Sequence, residues 1–408
     1  MFQKKMIVAA VAGALGAGAA GAAFAQTTVG NVEIYGRLYP EITVLSGSGA
    51  TAAGTTGLST LARTPTGNNL KSRNSVDASN SRLGFRGTES LGSGLSAIWQ
   101  IESTVPIDAG GGVLATRESF VGLKGGFGTV RLGFMDAVYK ELGDPIRFMG
   151  VASGNHVSVS NIISSRMPFG GSGGSFHLRQ PNGLWYETPN MNGVTLLGQY
   201  SPDTQESAPA NAATKKEFWS LGARYKSGPI YVALAHEIHK DFFGGSTSAP
   251  SALDNRSNTN AHSNDTSTRL TGMWNFSADG RVALDVAKFN FSESGGLAGR
   301  FENYKNNRWG VTWEQRWGGP WRTAAMYANS SAGSCGLFGG AVCSTSGLNG
   351  NMMALGAEYS FSKRTALFAL YSRLNNGQSA SYRNAENVNP YDTGADVTQY
   401  SLGIRHDY

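Results

Sequence analysis

Arg308–Trp317 reads RWGVTWEQRW. In an extended chain Trp309, Val311, Trp313 and Trp317 fall on one face, and Arg308, Thr312, Glu314 and Arg316 on the other, because successive side chains of a strand point to opposite sides. One face is aromatic and the other charged. Working outward, the tight turn WGGP (317–320) leads into another alternating stretch at 321–328. The same pattern recurs at Trp219, Leu221, Ala223 and Tyr225 against Ser220, Gly222 and Arg224. It recurs again at Tyr400, Leu402, Ile404 and Tyr408 against Gln399, Ser401, Gly403 and Arg405.

Extending this reading gives about sixteen strands. They span 31–44, 79–88, 94–103, 117–123, 128–134, 183–188, 193–200, 218–225, 229–240, 269–276, 281–291, 308–317, 321–328, 351–361, 365–374 and 397–408. Alternation alone also suits a soluble sandwich. The connections discriminate, because they alternate in length. Short ones fall at 91–94, 124–128, 189–193, 226–229, 277–280, 317–320 and 361–364. Long ones follow nearly every second strand, at 45–78, 104–116, 135–182, 201–217, 241–268, 292–307, 329–350 and 375–396. Short turns on one rim and long loops on the other are the mark of an up-and-down barrel, which also leaves no free sheet edge. The fold expected is all-β, a transmembrane antiparallel barrel of about sixteen strands.

The stretch 133–180, GFMDAVYKELGDPIRFMGVASGNHVSVSNIISSRMPFGGSGGSFHLRQ, breaks the pattern. It is too long for an ordinary turn, so it is either functional or disordered. Its low charge, apolar residues and glycine pairs suit a segment folded into the lumen to set a pore. The loops at 45–78 and 241–268 are rich in Gly, Ser, Thr and Asn and are expected to be mobile.

The N-terminus reads as an export signal. Lys4 and Lys5 precede an apolar, small-residue run, and Ala23-Phe24-Ala25 supplies a cleavage site. Residues 1–25 are the expected signal, and 26–408 a single barrel domain. Losing two lysines leaves 32 basic residues against 28 acidic, or +4, too mild to imply a nucleic-acid partner. After the signal no apolar run approaches the ~20 residues of a membrane helix, so a membrane location requires a closed barrel. Cys335 and Cys343 share one Gly/Ser-rich segment, and in an oxidising compartment they read as a local disulfide. Histidines at 156, 177, 236, 239, 262 and 406 assemble no catalytic or metal-binding set; His236 and His239 fall on opposite strand faces. No enzyme activity, cofactor or metal is expected.

Several stretches together resemble the general-diffusion porins of Gram-negative outer membranes, in the β-proteobacterial form. They are VEIYGRLY (32–39), SRLGFRGTESLGSGLSAIWQIE (81–102), RESFVGLKGGFGTVRLG (117–133), MPFGG (167–171), FSKRTALFALY (361–371) and SLGIRHDY (401–408). The resemblance implies a homotrimer in outer-membrane lipid and lipopolysaccharide, passing small hydrophilic solutes and ions. The runner-up is a substrate-selective channel or an adhesin barrel. The resemblance also implies a constriction in which wall arginines face acids of the third loop. By motif these are Arg37, Arg82, Arg117 and Arg179 on the wall, with Asp136, Glu141 and Asp144 on the loop. A weak anion preference follows. Gly403, His406 and the terminal Tyr408 resemble the family's signal to the outer-membrane assembly machinery. The chain departs from the pattern at Phe134, where a basic residue is common, and at Arg166 and Met167, where an acid is. Glu118, beside Arg117, is expected to face outward.

Overall fold

A computed structural model describes residues 32–78, 80–151, 157–164, 167–170, 174–202, 215–383 and 392–408. The expected signal at 1–25 lies outside the described residues, as do His156 and Arg166. The chain divides into two units; of Met1–Val32 only Val32 is described, and Glu33–Tyr408 is one compact barrel.

Among the described residues nineteen strand segments form one antiparallel sheet. In chain order they are β1 (Val32–Leu38), β2 (Glu41–Ser48), β3 (Arg73–Asp77), β4 (Arg82–Gly92), β5 (Leu95–Thr104), β6 (Ser119–Gly125), β7 (Gly128–Asp136), β8 (Arg179–Glu187), β9 (Val194–Ser201) and β10 (Glu217–Ser227). There follow β11 (Ile230–Lys240), β12 (His262–Trp274), β13 (Gly280–Ser294), β14 (Phe301–Arg316), β15 (Trp321–Ser330), β16 (Ser334–Leu337), β17 (Gly350–Ser360), β18 (Thr365–Asn376) and β19 (Asp396–Asp407). Three pairs of segments, β1 with β2, β3 with β4 and β15 with β16, are each one barrel strand with a break, which leaves sixteen strands. The first break is at Pro40, which has no N–H for the ladder. There Tyr39 N turns to Ser81 Oγ (2.9 Å), and the Pro40 carbonyl accepts from Ile404 N (3.0 Å).

The last strand closes on the first. β19 pairs with β2 from Asp396↔Ser48 to Gly403↔Glu41, and with β1 at Arg37↔Asp407. Tyr408 and Gly36 exchange backbone hydrogen bonds of 3.1 and 3.2 Å.

The two faces sort as the alternation requires. Arg308, Thr312 and Glu314 are buried inward, while Trp309 is 41 % exposed outward. Leu221, Leu234, Leu270, Leu284, Leu355, Leu402 and Ile404 also face out. This exposed apolar band is the surface a membrane covers. At the turn rim Trp274, Phe276, Trp317, Trp321, Tyr359 and Phe361 form an exposed aromatic girdle. Trp321 meets Tyr359 edge-on at 5.0 Å, and Tyr359 meets Phe361 at 5.3 Å. Toward the loop rim Tyr200–Trp219, Trp309–Tyr327 and Tyr371–Tyr400 make a second belt.

The described strands run further toward the loop rim than expected. β12 starts at His262 and β14 at Phe301. Their outward residues there, such as Asn264, Thr266, Lys305 and Asn307, are polar. Strand pairing continues above the apolar slab, where an alternation of hydrophobicity no longer marks it.

The loop at 241–261 is folded, contrary to the mobility expected of it. Gly244–Ser248 is a short buried helix. Glu293 accepts from Ser246 N (3.0 Å), Ser246 Oγ (2.7 Å) and Asn255 Nδ2 (2.8 Å), so one wall carboxylate organises the loop. The loop at 49–72 is likewise tied down, through Thr51 N to the Thr393 carbonyl and Thr60 N to the Ser344 carbonyl (both 2.9 Å). Ser344 follows the Cys335–Cys343 disulfide, which is formed.

Candidate pore constriction

Residues 137–178 leave the wall at β7 and return at β8. The described residues among them fold into the lumen, and side chains of the wall hold them at several points. The loop begins with the helix Val138–Leu142, whose Val138, Tyr139 and Leu142 are buried. Gly222 of β10 is its seat. A β-carbon there would stand 2.3 Å from Leu142 Cδ1 and 3.0 Å from Val138 Cγ1. Tyr139 N donates to Ser220 Oγ (2.9 Å), the Tyr139 and Ser267 hydroxyls are 2.7 Å apart, and the Tyr231 hydroxyl donates to the Leu142 carbonyl (2.7 Å).

The loop then reaches β1. Phe148 and Val151 bridge a two-residue turn in which Met149 (φ 46°) and Gly150 (φ 84°) are left-handed. Arg37 Nη1 donates to the Gly150 carbonyl (3.0 Å), and the Tyr39 hydroxyl to the Met149 carbonyl (3.3 Å). A side chain at Gly150 would meet Arg37 Nη1 at 2.7 Å, besides the strain of its φ. Further on, Val159 fills the gap above Gly310 of β14, and Arg308 Nη1 donates to the Ile162 carbonyl (3.0 Å). On the return limb Phe176 stacks on His239 (4.4 Å) and meets Phe289 and Phe291 edge-on. The loop therefore covers the inner wall from β10 round to β17. It also touches β1 at Arg37, and the strip it leaves uncovered is the one where Arg82 and Arg117 stay partly exposed.

The four wall arginines expected at the constriction have different fates. Arg37 is 16 % exposed and bound to Asp407 (2.6 Å) as well as to the loop. Arg82 (25 % exposed) lies 3.9 Å from Glu102, and Arg117 (22 %) is ion-paired to the same carboxylate. Arg82 also lies within electrostatic reach of Arg37, Arg117 and Arg147. Arg179 does not join them. It sits opposite Asp136 in the β7–β8 register and pairs with it at 2.8 Å.

The expected loop acids change more. Asp136 is the last residue of β7 rather than a loop residue, and Lys140 (2.9 Å) and Arg179 both neutralise it. Asp144 is buried. Burial, and then Asp285 nearby, push its carboxyl up to about 7, against the pull of Arg269 and Arg147. It is therefore no fixed negative charge facing the water. Glu141 alone of the three is exposed, with Arg147 nearby.

Glu118 faces inward, not outward. Arg117 N donates to the Glu102 carbonyl (3.0 Å), while Glu102 N donates to the Glu118 carbonyl (3.1 Å). Two residues thus oppose one, a β-bulge that re-aims a side chain. Glu118 Oε1 accepts from Asp136 N (3.3 Å).

Sequence reasoning missed Glu102, which binds two arginines and accepts from the Tyr35 hydroxyl (3.1 Å). It also missed Arg147, an exposed cation on the loop itself. Only a search for cations as well as acids in the loop would have found Arg147. A third omission is a run of alternating charges on the inner wall at the turn rim. Asp407 binds Arg405 (3.1 Å), Arg405 binds Glu358 (2.6 Å), and Arg322 bridges Glu358 (2.6 Å) and Glu314 (3.1 Å). Glu314 then binds Arg281 (2.8 Å).

A family model described as Gram-negative porin matches residues 8–379. The chain belongs to the Gram-negative porin family. Among curated relatives, the major outer membrane protein P.IB of Neisseria lactamica is 29 % identical over 157 residues, 38 % of this chain and 41 % of that protein. That of Neisseria meningitidis serogroup A is 33 % identical over 171 residues, 40 % of this chain and 44 % of that protein. The matches thus span less than half the length of these relatives. Among solved structures, an anion-selective porin from Comamonas acidovorans superposes with a TM-score of 0.67 at 21 % identity, over 92 % of this chain and 99 % of that one. OmpT of Vibrio cholerae gives 0.59 at 14 %, over 94 % and 99 %. These structures share the barrel fold. The porin is an integral outer-membrane protein.

Proposed function

We propose that this porin forms a water-filled passage for passive diffusion of small hydrophilic solutes and ions, with a weak preference for anions. The observation that carries the preference is the sign of the charges left facing the open strip. Arg37, Arg82 and Arg117 line the wall and Arg147 the loop, while Glu102 is shared by two of them and Asp136 and Asp144 are withdrawn. A unit charge about 4 Å from an ion is worth ~1 kcal/mol in water and more at lower effective dielectric. Four arginines against Glu102, Asp407 and the exposed Glu141 leave a small positive excess, which tilts ion partitioning without binding anions tightly. The anion selectivity named for the Comamonas structure is in keeping with this reading.

The experiment is the zero-current potential of the purified protein in a planar bilayer under a KCl gradient. Ohmic conductance steps with an anion-directed potential are expected. A cation-directed potential would keep the passage and reject the arginine-dominated constriction. We further propose a homotrimer, cleavage after Ala25, contact with lipopolysaccharide, and an assembly role for the last strand. In that strand Gly403 lies under the Phe368 ring, His406 contacts Thr365 Oγ1 (2.9 Å) and Tyr408 is 38 % exposed. Deleting Tyr408 is expected to lower the yield of heat-modifiable oligomer; normal yield would remove that role.

A further inference from the structure

Toward the turn rim the open strip widens into a cavity of about 630 Å³. Its lining includes Ile98, Phe120, Lys124, Arg131, Glu141 and Arg224. We infer that it is a binding subsite for a small monocarboxylate with an apolar or aromatic body, formed around Arg131. The inference deepens the channel reading and rests on it.

Arg131 differs from its neighbours. Arg117 is paired with Glu102, Arg179 with Asp136 and Arg224 with Glu187. Among the described residues Arg131 has no ion pair, and its Nε is buried without a hydrogen-bond partner. Its guanidinium lies over the indole of Trp185, 3.5 Å from the ring centroid, and 5.0 Å from that of Phe120. Trp185 is itself only 2 % exposed. A guanidinium held against a buried ring has lost most of its rotamer freedom before any ligand arrives. Its in-plane N–H groups then present the fork that matches a carboxylate. Arg131 lines the cavity without an ion pair, so a carboxylate there gains a charge-assisted partner without displacing an acid already bound.

The remaining lining selects within the anions. Lys124, Arg131 and Arg224 stand against Glu141 and Glu187, which leaves one net positive charge around the cavity. That suits a monoanion, and a doubly charged phosphate would meet Glu141. Ile98 and Phe120 offer an apolar shelf beside Arg131 that an inorganic anion would leave unused.

The test uses the full-length protein in planar bilayers, with benzoate, acetate and inorganic phosphate added at constant ionic strength. Benzoate is expected to attenuate the KCl current and add concentration-dependent noise, with acetate and phosphate far weaker. Arg131→Lys keeps the charge and loses the fork and the stacking, so benzoate affinity is expected to fall by about tenfold or more. Ile98→Asn should weaken benzoate while leaving acetate unchanged. Equal attenuation by benzoate and acetate, or equal benzoate affinity in Arg131→Lys, overturns the subsite. Calorimetric titration of benzoate into the detergent-solubilised protein reads the site without current. If no conductance steps form but the Arg131-dependent binding persists, the channel reading fails and the site stands. If steps form and no such binding is found, the reverse holds.

Discussion

Adding one methyl group at Gly222 tests whether the third loop is seated as described. In Gly222→Ala the new carbon would lie 2.3 Å from Leu142 Cδ1, 3.0 Å from Val138 Cγ1 and 3.0 Å from the Leu234 carbonyl. Carbon atoms settle at about 3.5–4.0 Å, so Leu142 must retreat by roughly 1.2 Å or more. The carbonyl belongs to the neighbouring strand and cannot yield, which leaves the loop helix to move. Overpacking of this kind costs ~1–3 kcal/mol. The hydrogen bonds of Tyr139 N to Ser220 and of the Tyr231 hydroxyl to Leu142 contribute about 1 kcal/mol each, so the cost is comparable with what holds the helix down. The expected result is a loop partly lifted from β10, seen as lower and noisier single-channel conductance and as faster protease cleavage within 137–178. Gly272→Ala is the control, because nothing lies within 4 Å of a β-carbon there. If Gly222→Ala matches both the wild type and that control in conductance, noise and cleavage, the helix is not seated on β10.

Other consequences can be checked in the same apparatus. Arg147→Glu should shift the zero-current potential toward cations: a charge ~7 Å from the ion path is worth ~0.6 kcal/mol in water, and reversing it changes relative anion occupancy roughly eightfold. The shift should shrink at 1 M salt, where the screening length falls to ~3 Å, and an unchanged potential at low salt would remove Arg147 from the constriction. Arg37→Gln gives up both Asp407 and the Gly150 carbonyl, so it should raise current noise as well as lower anion preference; a pure selectivity change would mean that the loop tip is held elsewhere. Because the Asp144 carboxyl lies at about 7 in the folded chain, above its unfolded value of ~3.9, its stabilising contribution is full below that lower value and is lost as pH rises through about 7. The wild type is therefore expected to lose thermal stability between about pH 4 and pH 7, and Asp144→Asn to flatten that decline, as read by circular dichroism melts. Reducing the Cys335–Cys343 bridge should leave the barrel intact and increase protease access to 49–72, whose Ser59 and Thr60 bond to the Ser344 carbonyl; unchanged cleavage would show that this docking does not depend on the disulfide.

The barrel was legible because a lipid-facing strand must alternate. RWGVTWEQRW carries its outward tryptophans and inward charges in the order of the residues, and tight turns such as WGGP record which rim each connection occupies. Pairing the first strand with the last follows from closure. Where strands rise above the apolar slab, as at His262–Thr268, the outward residues become polar and the signal fades, so those boundaries were late. The constriction was only half legible. Arg37, Arg82 and Arg117 could be picked out as inward arginines, but whether an arginine faces water or a carboxylate depends on which residue of a distant strand stands across from it. Arg179 is neutralised through the β7–β8 register, and Arg82 and Arg117 share Glu102 through a bulge. Asp144 became a buried acid, and Arg147 an exposed cation, only when the loop chose which limb to press on the wall. Local order therefore decided what each strand shows to lipid and to lumen. The folded loop, docked on Gly222, Gly310 and Arg37 from three distant strands, decided which of the inward charges stay exposed in the lumen.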